Sequence, residues 1–203
     1  MNVKGEKNEL RAKLRRARLA LGEAQRERAS RAIAQRLFAL PDFNCAKLVF
    51  IYVSVGSEPD TREIIEALWS RGKRVLVPRC APGYSLEIVP IASFGDLEKG
   101  PLGLLEPKKS LAALPADAID ASEIGFVVLP ADAISFAVLP CLACGEDGAR
   151  LGNGAGYYDR FLRVYKGPHC ALCFDELVFP SLPVEGHDMP MEKIVTQTRV
   201  IIP

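Results

Sequence analysis

No apolar run in the 203-residue chain approaches the ~20 residues that cross a bilayer, so a membrane-spanning helix is excluded. Net charge is nearly absent: 26 Lys and Arg against 25 Asp and Glu give +1 at pH 7. Bulk electrostatics therefore offer no case for a nucleic-acid or membrane partner. The opening MNVKGEKNELRAKLRRAR lacks the apolar core of a signal peptide. Its basic residues are interrupted by Glu6 and Glu9, unlike an acid-poor transit peptide, and a cytoplasmic location is expected. No linker-like stretch divides the chain, so residues 1–203 are expected to form one domain. Charged residues at 25% and hydrophobic ones at 49% are ordinary for a globular protein with a real core.

The periodicities outline an α/β protein. Residues 5–39 read as helix, with Leu10, Leu14, Ala17 and Ala20 on one stripe and Ala32, Ile33, Leu37 and Leu40 on another. Leu21-Gly22 marks a break between two helices, and Pro41 ends the second. KLVFIYV (47–53) reads as a buried strand, residues 57–72 as a helix capped by Asp60 or Thr61 and stopped at Gly72, and RVLVP (74–78) as a second strand. Strand, helix, strand implies a parallel pair with a right-handed crossover. Further strands are expected at 86–92, at 171–174 and within KIVTQTRVII, with mixed loop and short helix over 93–123 and a Pro-rich loop over 180–190. LPADAI occurs at 114–119 and again at 129–134, each copy followed by a Phe-x-Val-Leu-Pro run, so either 126–130 or 136–140 is the central strand. The expected fold is an open, largely parallel sheet with helices on both faces, the N-terminal helices packed against it, and a ligand cleft beyond the carboxyl ends of the strands.

GARLGNGAGYYDRFL (148–162) concentrates backbone freedom just ahead of a helix. Gly152, Gly154 and Gly156 allow positive φ and close backbone approach. The helix start beyond them favours a phosphate through its free N–H groups and dipole. Arg150 is a charge-assisted donor at the edge of the loop, and Asp159 is a carboxylate able to hold Mg²⁺ against phosphate oxygens. A plain glycine-rich turn would have the same spacing. The stretch is neither a Walker A loop, since no Gly-Lys-Ser/Thr follows, nor a G-x-G-x-x-G fingerprint in its strand–turn–helix place.

This segment resembles the signature of the 5-formyltetrahydrofolate cyclo-ligase family, also called methenyltetrahydrofolate synthetases. The resemblance extends to KNELR (7–11), YVSVGSEPDT (52–61), GLLEP (103–107) and LPVEGHDMPMEKIVT (182–196), in family order along nearly the whole chain. It implies an ATP-dependent carbon–nitrogen ligase of one-carbon metabolism that uses Mg²⁺. The implied reaction converts 5-formyltetrahydrofolate and ATP to 5,10-methenyltetrahydrofolate, ADP and phosphate. The formyl oxygen attacks the γ-phosphate, the second folate nitrogen closes the ring, and phosphate leaves. Such chemistry needs positioning and charge stabilisation rather than a Ser-His or Cys-His nucleophile. The implied partners are reduced folate and ATP, with no nucleic acid or membrane, and a monomer is expected.

By the same resemblance, Lys7 and Arg11, one turn apart, contact ATP phosphates together with Arg150, Leu151, Gly152, Asn153, Gly154, Ala155, Gly156, Tyr157 and Tyr158. Without it, Lys7 and Arg11 would read as a solvated basic face. Folate contacts fall to Val53, Glu58 and the 153–157 stretch. A carboxylate such as Glu58 suits the N–H donors of a pterin. Arg150 and Tyr157 are the candidate catalytic residues, Asp159 and Asp188 the candidate Mg²⁺ ligands, and His187 a positional residue. Lys7 and Arg150 are expected to be solvent-accessible and positioned for phosphate.

The sequence departs from the family at PCLACG (140–145), where Cys141 replaces Gly, Cys144 Phe and Gly145 Asp, and at Ala155, where relatives carry Gly or Lys. These changes motivate a second reading, a folate or nucleotide binder without turnover. A third comes from the cysteines, six in all: Cys141-x-x-Cys144 and Cys170-x-x-Cys173 could make a zinc-binding structural module. The separation of the two pairs exceeds the usual ~15–20 residues, and both lie in apolar runs where Cys serves as a small hydrophobe.

Overall fold

The computed structural model describes residues 3–100, 103–114 and 134–203. Two helices open the chain, α1 (Val3–Ala20) and α2 (Glu23–Ala39), broken at Leu21–Gly22 as predicted, followed by a short α3 (Pro41–Cys45). A seven-stranded sheet is built from β1 (Leu48–Ile51), β2 (Arg74–Ala81), β3 (Ser85–Ile91), β6 (Phe136–Pro140), β9 (His169–Leu172), β11 (Lys193–Val195) and β12 (Val200–Ile201). Its order is β12-β11-β9-β6-β1-β2-β3. The four inner pairings are parallel, and the edge strands β3 and β12 are antiparallel to their neighbours. Phe136–Pro140 is thus a central strand, between β1 and β9. The alternative run at 126–130 lies outside the described residues, as does most of the first LPADAI copy.

Helix α4 (Arg62–Ser70) crosses from β1 to β2. Asp60 Oδ1 accepts from the Arg62 amide at 2.9 Å, while the Thr61 hydroxyl is turned inward to Tyr52 O at 2.8 Å. Gly72, at φ +70°, closes the other end: its N–H reaches Trp69 O and the Lys73 N–H reaches Leu68 O, a Schellman pattern. Helices cover both faces of the sheet. Val49 sits opposite Phe136 and Phe50 opposite Ala137, so alternation sends Phe136 to one face and Phe50 to the other. Phe43 of α3 packs edge-on against Phe136 at 5.3 Å, and Phe38 of α2 packs on Phe43. On the opposite face Phe50 meets Phe161 of α5 (Tyr157–Val164) at 4.6 Å. Each such buried ring contributes about 1.5–3 kcal/mol.

Several strands were not legible in the sequence. The 93–123 region contains a hairpin, β4 (Leu97–Lys99) with β5 (Leu105–Pro107). The final run divides into β11 and β12 around a turn in which Thr196 N donates to Arg199 O. A small second sheet joins β7 (Ala143–Gly145), β8 (Arg150–Leu151) and β10 (Val178–Phe179). Elements of two or three residues carry too little alternation to be read. No helix among the described residues is long and apolar enough to cross a membrane.

Candidate active site

From β1 the chain winds outward through β2 to β3, and from β6 through β9 and β11 to β12. The winding reverses between β1 and β6, where ligands of open α/β sheets collect at the strands' carboxyl ends. A cleft of about 640 Å³ opens there, with Tyr52 and Val53 following β1 and Pro140 and Cys141 at the end of β6.

One stripe of α1 forms a wall of this cleft. Lys7, Arg11, Leu14 and Arg18 follow the i, i+4, i+7, i+11 spacing of a single helix face. Lys7 Nζ donates to Asp188 Oδ2 at 2.5 Å and to Glu185 Oε2 at 3.0 Å. Arg11 Nε donates to Gly152 O at 2.9 Å. Leu14 enters the core, and Arg18 donates to Ser57 Oγ at 3.0 Å and Cys141 O at 3.2 Å. Arg15, beside the stripe, reaches the Asn153 side chain at 3.4 Å.

The glycine loop forms the facing wall. β8 leads out of its pairing with β7, and Gly154 (φ +105°) and Gly156 (φ +73°) bend the chain into α5, which begins without a side-chain cap. At Gly152 the constraint is space instead: a Cβ there would lie 2.9 Å from Arg150 Nη1 and press on the guanidinium that Asp159 holds. Positive φ, which all three glycines allow, is adopted by Gly154 and Gly156 and not by Gly152. Arg150 Nη2 donates to Asp159 Oδ1 at 2.8 Å, Nη1 to Pro140 O at 3.4 Å, and the guanidinium lies over the Tyr158 ring. Its Nε, buried, has no hydrogen-bond partner among the described residues.

Every candidate residue lines this one cleft: Lys7, Arg11, Val53, Glu58, the whole 150–158 stretch, Asp159 and Asp188. One expectation fails. Lys7 is 2% and Arg150 7% exposed, both held in ion pairs with acids instead of standing free in solvent. Asp159 and Asp188 line the same cleft, and Asp159 Oδ1 accepts from the amide of Met189, the residue after Asp188, at 3.3 Å. The donor cluster around Asp188 is completed by Glu185 and His187, within 4.8 Å of one another, and does not include Asp159.

The electrostatics follow from burial and from these cations. Burial pushes Asp188 up, but the bond from Lys7, the Glu185 amide and the charges of Lys7 and His187 outweigh it, leaving its carboxyl below the ordinary 3.8. Glu58 moves the other way. Burial raises it, and the Val55 amide at 3.2 Å and the Arg18 charge only partly oppose that.

Sequence reasoning missed several lining residues. Tyr52 donates its hydroxyl to Pro59 O and stays protonated through burial first and Glu58 second. Glu106 is buried, and its Oε1 has no hydrogen-bond partner among the described residues. The neighbouring Cys80 thiol is pushed up to about 11 by burial and then by Glu106. Glu106 and Glu185 both stand inside quoted motifs, GLLEP and LPVEGHD, and an acid within each motif was the available signal. Arg18 does not line the cleft but braces it from behind through Ser57 Oγ and Cys141 O, and it could have been found by extending the Lys7–Arg11 spacing one more heptad along α1. Gly145, in contrast, does not line the cleft: a Cβ there would point at Asp147 Oδ1, 2.2 Å away.

The comparisons with known proteins agree with this geometry. The 5-formyltetrahydrofolate cyclo-ligase family matches residues 3–197. The chain is 31% identical over 192 residues to the 5-formyltetrahydrofolate cyclo-ligase of Escherichia coli K12, spanning 92% of this chain and 98% of that protein. It is 32% identical over 206 residues to the enzyme of the same name from Mycolicibacterium smegmatis, spanning 97% and 96%. The 5,10-methenyltetrahydrofolate synthetase of Aquifex aeolicus superposes with a TM-score of 0.79 at 28% identity, covering 97% of this chain and 92% of that one. That of Mycoplasma pneumoniae shares the fold, with a TM-score of 0.69 at 19% identity over 94% and 98% of the two chains. A match over nearly the full length, together with the motifs gathered in one cleft, shows that the chain belongs to the 5-formyltetrahydrofolate cyclo-ligase family.

Proposed function

We propose that the protein converts 5-formyltetrahydrofolate and ATP to 5,10-methenyltetrahydrofolate, ADP and phosphate, with Mg²⁺. The observation that carries this reading is the convergence, at one switch-point cleft, of a glycine-rich loop, basic residues of α1 and partly buried carboxylates of two different loops. An N-formyl oxygen is a weak leaving group until it is phosphorylated. The site's task is then to hold that oxygen in line with a γ-phosphate and to stabilise the charge that develops.

In this reading the amides of the 152–156 loop, Arg11 and Arg150 cradle the phosphates. The unpartnered Arg150 Nε and the 2.8 Å Asp159 anchor suit a guanidinium held in a fixed orientation. Val53, Glu58 and Glu106 line the folate side, and the unpartnered Glu106 Oε1 offers an acceptor to a pterin N–H. Tyr157, set edge-on to Tyr84 at 5.9 Å, flanks the reacting groups where the two substrates meet. Formyl oxygen attack forms the O–P bond as the bond to ADP breaks. The second folate nitrogen then attacks the formyl carbon, loses its proton, and phosphate departs with the former formyl oxygen.

Mg²⁺ takes hard oxygen ligands, and one or two carboxylates with phosphate oxygens satisfy it. Asp159 and Asp188 fit: each has one oxygen engaged by a cation and a backbone amide, while Asp159 Oδ2 and Asp188 Oδ1 accept no hydrogen bond among the described residues. When bound, the ion would offset phosphate charge. The decisive experiment follows methenyltetrahydrofolate absorbance and phosphate release on addition of ATP to protein and 5-formyltetrahydrofolate. An ATP-dependent rise in both, in equal amounts, is expected, and absence of either would overturn the reading. The departure at Gly145, one motive for a binder without turnover, loses force because that position lies off the cleft.

A further inference from the structure

Three of the cysteines converge behind the cleft. The Sγ atoms of Cys141, Cys144 and Cys173 lie within 4.8 Å of one another, and all three residues are buried. The sheet brings them together. Pro140 pairs with Leu172 in the parallel β6/β9 register, so Cys141 and Cys173 leave the two strands side by side. Cys144 returns to the same point in β7. Cys170 is three residues back along β9, roughly 10 Å at ~3.3 Å per residue, and is not part of the cluster. The two C-x-x-C pairs therefore do not form the four-cysteine set that their spacing invites.

The surroundings favour negative charge on sulfur. Arg18 donates to Cys141 O at 3.2 Å and Arg150 to Pro140 O at 3.4 Å, so two guanidiniums flank the cluster.

We propose that Cys141, Cys144 and Cys173 form a three-thiolate site for a thiophilic cation of the zinc class, seated against the floor of the cleft. Zinc–sulfur bonds of ~2.3 Å in tetrahedral geometry place sulfurs ~3.8 Å apart. The thiols are within reach of that spacing by small side-chain movements. Three thiolates and a divalent ion leave one negative charge, which Arg18 and Arg150 are placed to offset. The fourth position falls to a backbone carbonyl such as Leu172 O, which already accepts from Cys141 Sγ at 3.1 Å, or to water from the cleft that Cys141 also lines.

The test uses the full chain, reduced and stripped with a chelator, titrated with Cd²⁺ as a spectroscopic probe and with Zn²⁺ against a chromophoric chelator. One ion per chain, an ultraviolet thiolate-to-cadmium charge-transfer band and proton release are expected. Loss of outer-shell partners costs 10–100-fold in metal affinity, so Cys144→Ala and Cys173→Ala, each losing a ligand, should bind at least ~100-fold more weakly. Cys170→Ala should bind like the parent and keep the band. Circular dichroism checks that each variant folds, and Cys173→Ser substitutes for either alanine variant that does not. No charge-transfer band, equal affinity in the parent and both cluster variants, or loss of binding on Glu185→Ala instead would overturn the site. None of these readouts requires turnover, so the metal site and the proposed reaction fail separately.

Discussion

Lys7 Nζ lies 2.5 Å from Asp188 Oδ2, joining the first helix to the loop that precedes β11 across almost the whole chain. Lys7 is 2% exposed and also holds Glu185 at 3.0 Å. The lysine is therefore both a candidate phosphate contact and the fastener of a candidate metal ligand. Its loss should not be a purely kinetic defect.

Lys7→Ala is expected to destabilise the fold as well as raise the KM for ATP. Removing one partner of a buried ion pair costs about 3–5 kcal/mol, and Glu185, with 29% of its side chain exposed, moves the expectation to the lower part of that range. A double-mutant cycle with Asp188→Asn, read by denaturant unfolding, checks it. The Asp188→Asn penalty should shrink in the Lys7→Ala background. Strict additivity would show that the contact contributes nothing.

Gly154→Ala should damage nucleotide binding more than folate binding. The position has φ +105°, and a new Cβ would sit 3.3 Å from the Arg11 guanidinium carbon. Relief would come by moving Arg11, which holds the loop through Gly152 O. A strain of about 1–2 kcal/mol in the left-handed region corresponds to roughly a tenfold rise in the KM for ATP. Steady-state kinetics with each substrate varied in turn would show it. Equal effects on both substrates would show that this position serves folate as much as phosphate.

The sequence carried the sites further than it carried their state. The helix break at Leu21–Gly22, the Gly72 stop and the buried strand at Leu48–Ile51 were legible because each rests on local chemistry: positive φ, apolar runs and cap residues. The glycine loop and its helix were legible for the same reason. The burial of Lys7 and Arg150 was not, because an exposed and a paired cation look alike until their partners are known. Lys7's partners lie at Glu185 and Asp188, and only the sheet order brings them near. The convergence of Cys141 with Cys173 likewise depends on the β6/β9 register, which no local pattern encodes.

Glu58 should impose an acid limb on folate affinity. Its carboxyl is raised above the ordinary 4.5 by burial, with the Val55 amide and Arg18 opposing and Cys141 adding to the rise. If the ionised form accepts the pterin donors, the KM for 5-formyltetrahydrofolate rises as pH falls through that elevated value. Glu58→Gln should raise the KM by roughly tenfold or more, the loss of a charged hydrogen bond, and flatten the acid limb. A pH profile of kcat/KM for both proteins tests this, and an identical limb in Glu58→Gln would assign the titration to another group.

The two aspartates should separate by their Mg²⁺ response. Asp159 stands on α5 directly behind the phosphate loop, and its Oδ1 holds Arg150 at 2.8 Å. Asp159→Asn removes a metal-binding charge and also leaves a buried guanidinium without its counter-ion, so both metal affinity and phosphate positioning suffer. Most activity should be lost, with little recovery at any Mg²⁺ concentration. Asp188 lies in a loop beside Glu185 and His187, and its Oδ2 is already committed to Lys7. Asp188→Asn should keep more activity, shift the Mg²⁺ activation curve to higher concentration and recover in part there, since neighbouring Glu185 retains an oxygen donor. Activation curves for the parent and both variants, taken at saturating ATP and folate, make the comparison. An unchanged curve and unchanged turnover in Asp159→Asn would remove it from the metal site and leave Arg150 positioned by other contacts.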